Sequence, residues 1–122
     1  MHTSSSDRRV QELLDSLDGI ERELRRLGWW DTSLDVRSVR ERAAAIVSES
    51  GESPVMHMPF ETWLQAVFLP NAREAAANRT LPESSQVSLM AMRVYDYHTV
   101  VPEAKELLRL LREFDALVES ES

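Results

Sequence analysis

An apolar stripe that ends at a proline is the feature that most limits how this chain can fold. Within residues 58–70, large apolar side chains recur at intervals of three and one, which places them on one face of a helix. These residues are Phe60, Trp63, Leu64, Val67 and Phe68. Each side chain contributes on the order of 1.5–3 kcal/mol when buried. We therefore expect the other helices to pack around this segment, which Pro59 starts with a favourable first-turn geometry.

Pro70 interrupts that helix before its natural end. A proline inside a helix removes one backbone hydrogen bond and clashes with the preceding turn, at a cost of about 3 kcal/mol in a straight helix. The alanine-rich continuation to about Asn78 favours helix nonetheless. The sequence therefore predicts a central helix that is kinked at Pro70, with a freed carbonyl near Ala66 and Asn71 beside it.

Three further segments repeat the helical spacing. A helix that ends at Gly28 and a final helix that starts after Pro102 each have one continuous apolar face. A helix from about Ser85 to Tyr97 has a broad apolar arc, and Leu89 and Met92 lie on its opposite side. Such a helix is either deeply buried or contacts a partner through its second face.

A fourth segment, 31–50, has a thinner stripe of small side chains. Thr32 and Asp35 have the spacing of a capping box, which predicts a helix from Thr32 to about Glu49. Residues 48–54 then have loop composition. We expect residues 31–54 to form a helix and a loop on the surface of the bundle.

The 122 residues suffice for one ordinary domain, and nothing in the pattern divides them. We predict a single all-α domain over 1–122, a four- or five-helix bundle, with disordered tails at 1–5 and 119–122. The chain lacks cysteine, a signal peptide and any apolar run long enough to cross a bilayer. These features favour the cytoplasm.

The charge balance excludes some partners. Acidic residues number 21 against 14 lysines and arginines, so the formal net charge is −7 and the pI is about 4.9. The average field therefore repels phosphate backbones and anionic membranes. We expect no membrane binding, and we expect a protein rather than a nucleic acid as the primary partner; the oligomeric state stays open.

No motif for catalysis, metal binding or a cofactor is present. The histidines at 2, 57 and 98 have no partner histidine at helical spacing, and the glycines are isolated, so neither a zinc motif nor a phosphate-binding loop is formed. There is no nucleophile elbow. The sequence predicts a protein that is not an enzyme and that uses no metal and no cofactor.

Two surfaces and one pocket are candidates for binding. Methionine and tryptophan side chains outside the stripes suit a surface that adapts to a protein partner, and this predicted interface comprises Trp29, Trp30, Met56, Met58 and Met92. An alternative is an RNA-binding face of arginines on the first two helices, Arg22, Arg25, Arg26, Arg37 and Arg40. A third possibility is a small-molecule pocket beside the kink, formed by Pro70, Asn71, Tyr95 and His98.

The chain also resembles a known family. The residues that carry the resemblance are Pro59-Phe60-Glu61-Thr62-Trp63-Leu64-Gln65 with Val67, Leu69 and Pro70, then Leu81-Pro82, then Leu107-Leu108, Leu111, Phe114-Asp115 and Leu117. With these residues the chain is similar to the YqcC-like family of small bacterial proteins, a domain of unknown function. The likeness covers residues 55–119 well but not 31–50, and Asn71 stands where relatives tend to have a basic residue.

The resemblance implies an all-helical bundle without established catalytic residues. It also implies an association, because genes of this family often neighbour one for a tRNA pseudouridine synthase. On this basis we expect a non-catalytic interaction module or accessory protein, with an RNA-modifying enzyme as its partner. Direct RNA or tRNA binding and small-molecule binding are the alternatives.

Overall fold

The computed structural model describes residues 5–82, 84–97 and 101–119, and this part of the chain is helical without strands. Residues 1–4 and 120–122, most of the predicted tails, lie outside it, whereas residues 5 and 119 belong to helices. The helices are α1 (Ser5–Arg26), α2 (Val36–Ser50), α3 (60–78), α4 (87–97) and α5 (Lys105–Glu119). The prediction of an all-α bundle is confirmed.

The first and last helices pack against each other in antiparallel orientation. Their apolar stripes meet, so that Leu17 and Leu111 are completely buried. At one end of the pair, the guanidinium of Arg9 donates to the carbonyls of Leu117 and Val118, at 2.7 and 3.0 Å. These carbonyls belong to the last turn of α5, so Arg9 caps that helix and ties it to the start of α1.

The predicted stop of α1 at Gly28 is present in the structure. Gly28 has φ 76°, the left-handed conformation. The amide of Trp29 then donates to the carbonyl of Leu24 at 2.9 Å, and that of Gly28 to Arg25 at 3.1 Å. This pair of bonds is the Schellman motif, which satisfies the free carbonyls at the helix end and turns the chain back toward the core.

The central helix α3 accommodates Pro70 by widening the turn before it. Its first turn, Phe60–Trp63, and its last part, Leu69–Asn78, are α-helical, whereas Leu64–Phe68 forms a π-helical turn. There the amide of Leu69 donates to the carbonyl of Leu64, five residues earlier. A π turn relieves the clash between the proline ring and the preceding carbonyl, and the helix continues to Asn78.

Helix α2 begins three residues later than its sequence predicts. The N-cap is Asp35, whose carboxylate accepts from the amide of Ser38 at 3.2 Å and from its hydroxyl at 2.8 Å. The prediction that the helix starts at Thr32 is wrong, because Asp31 accepts from the amide and the hydroxyl of Ser33 and holds that segment in a turn. Ala43 alone is buried on α2, which lies across the π turn of α3.

Helix α4 packs against α5 and leaves one face uncovered. It is α-helical over Val87–Met92 and continues as a π turn, Arg93–Tyr97. Val87, Ala91 and Tyr95 are buried, whereas Val94, which α-helical spacing assigns to the same stripe, is 45% exposed. The wide turn changes the direction of the side chains that follow Met92, which explains this difference.

One core joins these elements. The buried side chains of α1, α3, α4 and α5 form a single apolar cluster, and the two tryptophans after α1 pack against its edge. Within the described ranges, no helix combines the length and the apolar character required to cross a membrane.

The backbone of Arg79 provides the first test of this structure. Arg79 ends α3 in the left-handed region, at φ 57°, which costs a residue with a Cβ about 1 kcal/mol. Its guanidinium pairs with Asp7 at the surface. Both Arg79→Gly and Arg79→Ala lose this pair, but only glycine removes the strain. We therefore expect Arg79→Gly to be more stable than Arg79→Ala by about 1 kcal/mol in urea unfolding. Equal stabilities would contradict the left-handed conformation.

The acidic side of α1 provides a second test. Glu21 accepts from Arg25 at 3.0 Å and from Arg73 of α3 at 2.9 Å. Partial burial raises the pKa of this carboxyl, but the hydrogen bonds from both arginines outweigh burial and lower it. Because this pKa is lower in the folded state, the ionised carboxylate stabilises the fold at pH values above the pKa of the unfolded state. That stabilisation is lost as the pH falls through the pKa of the folded state.

We expect Glu21→Gln to reduce the free energy of unfolding at neutral pH by up to about 1 kcal/mol. The difference from the wild type should shrink as the pH is lowered below the ordinary glutamate pKa. Glu12→Gln, at an exposed position of α1 without an ion-pair partner among the described residues, is the control. A deficit that is independent of pH would count against the ionic explanation.

Candidate functional site

A row of aromatic rings crosses the core and joins α3 to its neighbours. Neighbouring ring centroids lie 5.2–5.7 Å apart, in stacked or edge-to-face arrangements, and the row consists of Trp29, Tyr95, Phe60, Trp63, Phe68 and Phe114 in this order. Such pairs add about 0.5–1.5 kcal/mol each beyond the area that they bury. The row therefore fixes the loop after α1, the end of α4 and the middle of α5 relative to α3.

Tyr95 lies in this row and its hydroxyl has a specific partner. The side chain is 3% exposed, and its hydroxyl donates to a carboxylate oxygen of Glu61 at 2.7 Å. Burial, together with the neighbouring negative charge of Glu61, raises the pKa of this phenol well above its usual value. Tyr95 thus stays protonated at physiological pH and serves as a hydrogen-bond donor rather than a base.

Gln65 clamps the loop that follows α1. The side chain is 5% exposed on the π turn of α3, and its amide makes two hydrogen bonds to one residue, Asp31. The carbonyl oxygen Oε1 accepts from the amide of Asp31 at 2.9 Å, and Nε2 donates to its carbonyl at 2.7 Å. One side chain of α3 thus bonds to both the backbone amide and the backbone carbonyl of a loop residue.

Both tryptophans of the predicted interface are held at the edge of the core. Trp29 stacks on Tyr95 at 5.2 Å, and the guanidinium of Arg25 lies 4.6 Å from the ring centroid of Trp30. Each tryptophan is half-buried. Their packing is therefore structural in part, and only one side of each ring is accessible to a partner.

The predicted methionines differ in exposure. Met56 is 81% exposed on the short 3₁₀ turn Pro54–His57, whereas Met58 is half-buried after this turn. Met92 is 36% exposed on the outer face of α4. Two neighbours on this helix that the predicted interface lacked are also exposed, Leu89 at 49% and Val94 at 45%.

These three side chains form the outer apolar face of α4, which we define as Leu89, Met92 and Val94. Helical spacing alone indicated Leu89 and Met92, because they lie opposite the buried stripe. Val94 was missed because the π turn that exposes it has no sequence signature of this kind.

The arginines of the alternative RNA face lie on different parts of the molecule. Arg25 and Arg37 pair with glutamates one turn away, at Glu21 and Glu41. Arg26 is held by Glu23 of the same helix, and Arg40 donates to the side chain of Asn71 at 2.9 Å. The side chains of Arg22 and of Leu110 of α5 both lie beside Gly19. Helix α1 packs against α3 and α5, and α2 packs against the π turn, so the two helices do not form one continuous face.

The region beside Pro70 contains a groove, but with a different lining from the predicted pocket. Its volume is about 240 Å³, and it opens between α3 and the segment before α4. Of the four predicted residues it includes Asn71, whereas Tyr95 lies on the far side of Phe60 within the aromatic row. His98 lies outside the described residues. The side chains that line the groove are mainly apolar: Trp63, Val67, Phe68, Ala72, Leu81, Pro82 and Phe114, with Asn71 and Ser85.

A buried carboxylate that the sequence analysis missed anchors the start of α4. Asp115 is 8% exposed, and its Oδ2 accepts from the amide of Ser88 at 2.9 Å and from its hydroxyl at 2.6 Å. The free amides at the start of a helix require acceptors, and here the acceptor comes from α5. Asp115 was identifiable from the sequence, because it lies within the apolar stripe of α5 and an acid at such a position is buried with a hydrogen-bond partner.

Other described carboxylates lie in surface ion pairs, as Glu21 does, or cap a helix, as Asp35 does. Within residues 5–82, 84–97 and 101–119, no group of three or more potential ligands among His, Cys, Asp and Glu is placed to hold a metal ion. Two surface features of the described residues are candidates for binding, the outer face of α4 and the groove beside α3.

The sequence of this all-helical chain matches a protein-family model. A family model described as "DUF446: tRNA pseudouridine synthase C" matches residues 12–117, most of the chain. The chain belongs to this family, a small domain of unknown function. No curated protein and no solved structure was found to match it.

The clamp at Gln65 yields a prediction about stability. Gln65→Ala leaves the amide of Asp31 without its partner and leaves the carbonyl with only the longer bond from the amide of Leu34, at 3.3 Å. We therefore expect the free energy of unfolding to fall by about 1–3 kcal/mol. Gln11→Ala removes an exposed glutamine that bonds only to Asp15, and should change stability by about 0.5 kcal/mol at most. Urea unfolding followed by circular dichroism measures both variants.

Gln65→Glu distinguishes lost hydrogen bonding from lost packing. An ionised carboxylate keeps the shape of the amide but cannot donate to the carbonyl of Asp31, whereas a protonated carboxyl can. Burial raises the pKa of a carboxyl at this position. Stability is thus greatest at acidic pH and falls as the pH rises through that pKa. A variant whose deficit is the same at pH 4 and pH 8 would contradict the clamp.

Proposed function

We propose that this protein is a non-catalytic accessory protein that docks on a tRNA-modifying enzyme, a tRNA pseudouridine synthase, in the cytoplasm. The observation that carries the proposal is the outer apolar face of α4. Leu89, Met92 and Val94 are 36–49% exposed on one short helix, and none of the three belongs to the apolar core cluster or packs against it. Exposed apolar side chains that cluster in this way are typical of protein-binding surfaces.

The outer face of α4 is held ready for binding. The start of α4 is anchored by the two buried hydrogen bonds that Ser88 donates to Asp115, and its end is fixed by the stacking of Tyr95 on Trp29. A partner therefore does not have to order this helix on binding, which reduces the entropic cost of association. A rigid helix that offers apolar side chains to a groove is a common mode of protein recognition.

The charge of the chain supports the choice of partner. A protein that binds tRNA needs a basic surface. This chain has a net charge of −7, so the two proteins would attract each other over long range and associate faster. The description of the family names tRNA pseudouridine synthase C, which identifies the enzyme class to test first. The narrower resemblance to YqcC-like proteins leads to the same partner and remains a prediction.

The absence of a catalytic role is part of the proposal. Tyr95 is a buried hydrogen-bond donor, and Asp115 and Gln65 bond to backbone groups. Glu21 forms ion pairs with two arginines. Each of these side chains has a structural use that accounts for its position. A small-molecule function is supported only by the groove beside α3, which has few polar groups to orient a ligand.

Binding to the purified synthase from the same organism tests this proposal, with both proteins treated with ribonuclease beforehand. Leu89→Glu places a charge in the centre of the outer face and should weaken binding at least tenfold in isothermal titration calorimetry, about 1.4 kcal/mol. Val47→Glu is the matched control, because Val47 is 50% exposed on α2 and Leu89 is 49% exposed.

We expect the control to bind within twofold of the wild type, and both variants to keep the helical circular dichroism spectrum. An unchanged affinity for Leu89→Glu would exclude the outer face of α4 as the docking surface. Met56→Glu then tests the remaining exposed methionine of the predicted interface. A wild-type protein that does not bind the synthase would refute the proposed function itself.

A further inference from the structure

A cavity with mostly basic walls lies where the end of α1 meets the start of α5. Its volume is about 400 Å³, and its polar lining comprises Arg26, Glu103, Lys105, Glu106, Arg109 and Arg112. Four of these side chains are cations and two are anions, whereas in the whole chain acidic residues outnumber lysines and arginines, 21 to 14. Among the lining residues cations therefore outnumber anions, although Arg26 and Arg109 also pair with Glu23 and Glu113, which are not part of the lining.

The positions of the cations follow from the helices that carry them. Lys105, Arg109 and Arg112 are spaced by four and three residues, so they share one side of α5. This side is opposite the buried stripe that contains Leu107 and Leu111. Arg26 is the last residue of α1, and the antiparallel packing of α1 on α5 brings it to the same cavity.

The two acids do not neutralise all four cations. Glu106 accepts from Arg109, and it is close enough to Arg26 for that arginine to lower the pKa of its carboxyl, after the larger effect of the bond from Arg109. Arg26 itself is paired with Glu23 of α1, and Arg109 is also paired with Glu113, so both guanidinium groups are neutralised by neighbouring acids. Lys105 and Arg112 have no ion-pair partner within the described parts of the chain, so both can meet an external anion.

We propose that this cavity binds the phosphate backbone of RNA, with Lys105 and Arg112 as the primary contacts. The inference rests on the proposed function, since an accessory protein of a tRNA enzyme works close to bound tRNA. Guanidinium groups match the geometry of phosphate oxygens, and an ammonium adds a compact charge. At physiological salt the screening length is about 8 Å, so the distant acids of the chain repel a phosphate in this cavity only weakly.

This site differs from the arginine face that the sequence predicted. That face combined α1 with α2, whereas the cavity combines α1 with α5, and Arg26 alone belongs to both. The three cations of α5 were missed because spacing indicates which side of a helix they share but not which helix end lies beside them.

Fluorescence anisotropy with a labelled, unmodified tRNA transcript and the full chain, without the synthase, tests the inference. The variant Lys105→Glu/Arg112→Glu is compared with Arg37→Glu/Arg42→Glu, which makes the same change in net charge on α2. We expect the α5 variant to bind at least fivefold more weakly, and its log–log salt slope to decrease by about 1–2. The α2 variant should bind within twofold of the wild type.

An equal loss in both variants would show a general charge effect and overturn the site. So would a wild type that does not bind tRNA, or one that binds ADP tightly and tRNA not at all, since the anion would then be a free nucleotide. Docking to the synthase is measured after ribonuclease treatment and through α4. A failure of tRNA binding is therefore distinguishable from a failure of the proposed function.

Discussion

The missing amide proton of Pro70 is the constraint on which the arrangement of the bundle depends. Without that donor, the middle of α3 cannot continue as a regular α-helix, and the backbone widens over Leu64–Phe68. The wide turn carries Gln65 inward against the loop at Asp31, and it carries Phe68 against Phe114 of α5. The same turn is the surface on which α2 lies. One backbone irregularity thus sets the position of three neighbouring elements.

The aromatic row extends this effect beyond α3. Because Phe60 contacts both Trp63 and Tyr95, the start of α3 is linked to the end of α4, where a second π turn occurs. The two wide turns lie at opposite sides of the row. Each of them contributes a ring to the row, Phe68 from α3 and Tyr95 from α4.

The sequence predicted the elements better than their contacts. The stripes of α1, α3 and α5, the stop at Gly28 and the disturbance at Pro70 follow from local spacing and backbone chemistry, and the structure contains all of them. The bonds that position the candidate site connect residues far apart in the chain, such as Gln65 with Asp31 and Asp115 with Ser88. Spacing cannot identify such pairs, although a polar residue inside an apolar stripe signals that one exists. The sequence indicated two of the three residues of the outer face of α4, Leu89 and Met92, but not Val94. It did not indicate the cation-lined cavity, because the residues of that cavity come from α1 and α5, which are far apart in the chain.

The contact between Arg9 and the last turn of α5 also has a consequence for synthesis. Arg9 is separated from Leu117 and Val118 by 108 and 109 positions in the sequence. This contact therefore forms only when both helices have been synthesised. At about 5–20 residues per second, α1 leaves the ribosome several seconds before α5 exists. During this interval the side of α1 that packs against α5 has no final partner, although α3, which also packs against α1, is synthesised earlier. The packing of α1 on α5 is therefore completed only after α5 has been synthesised.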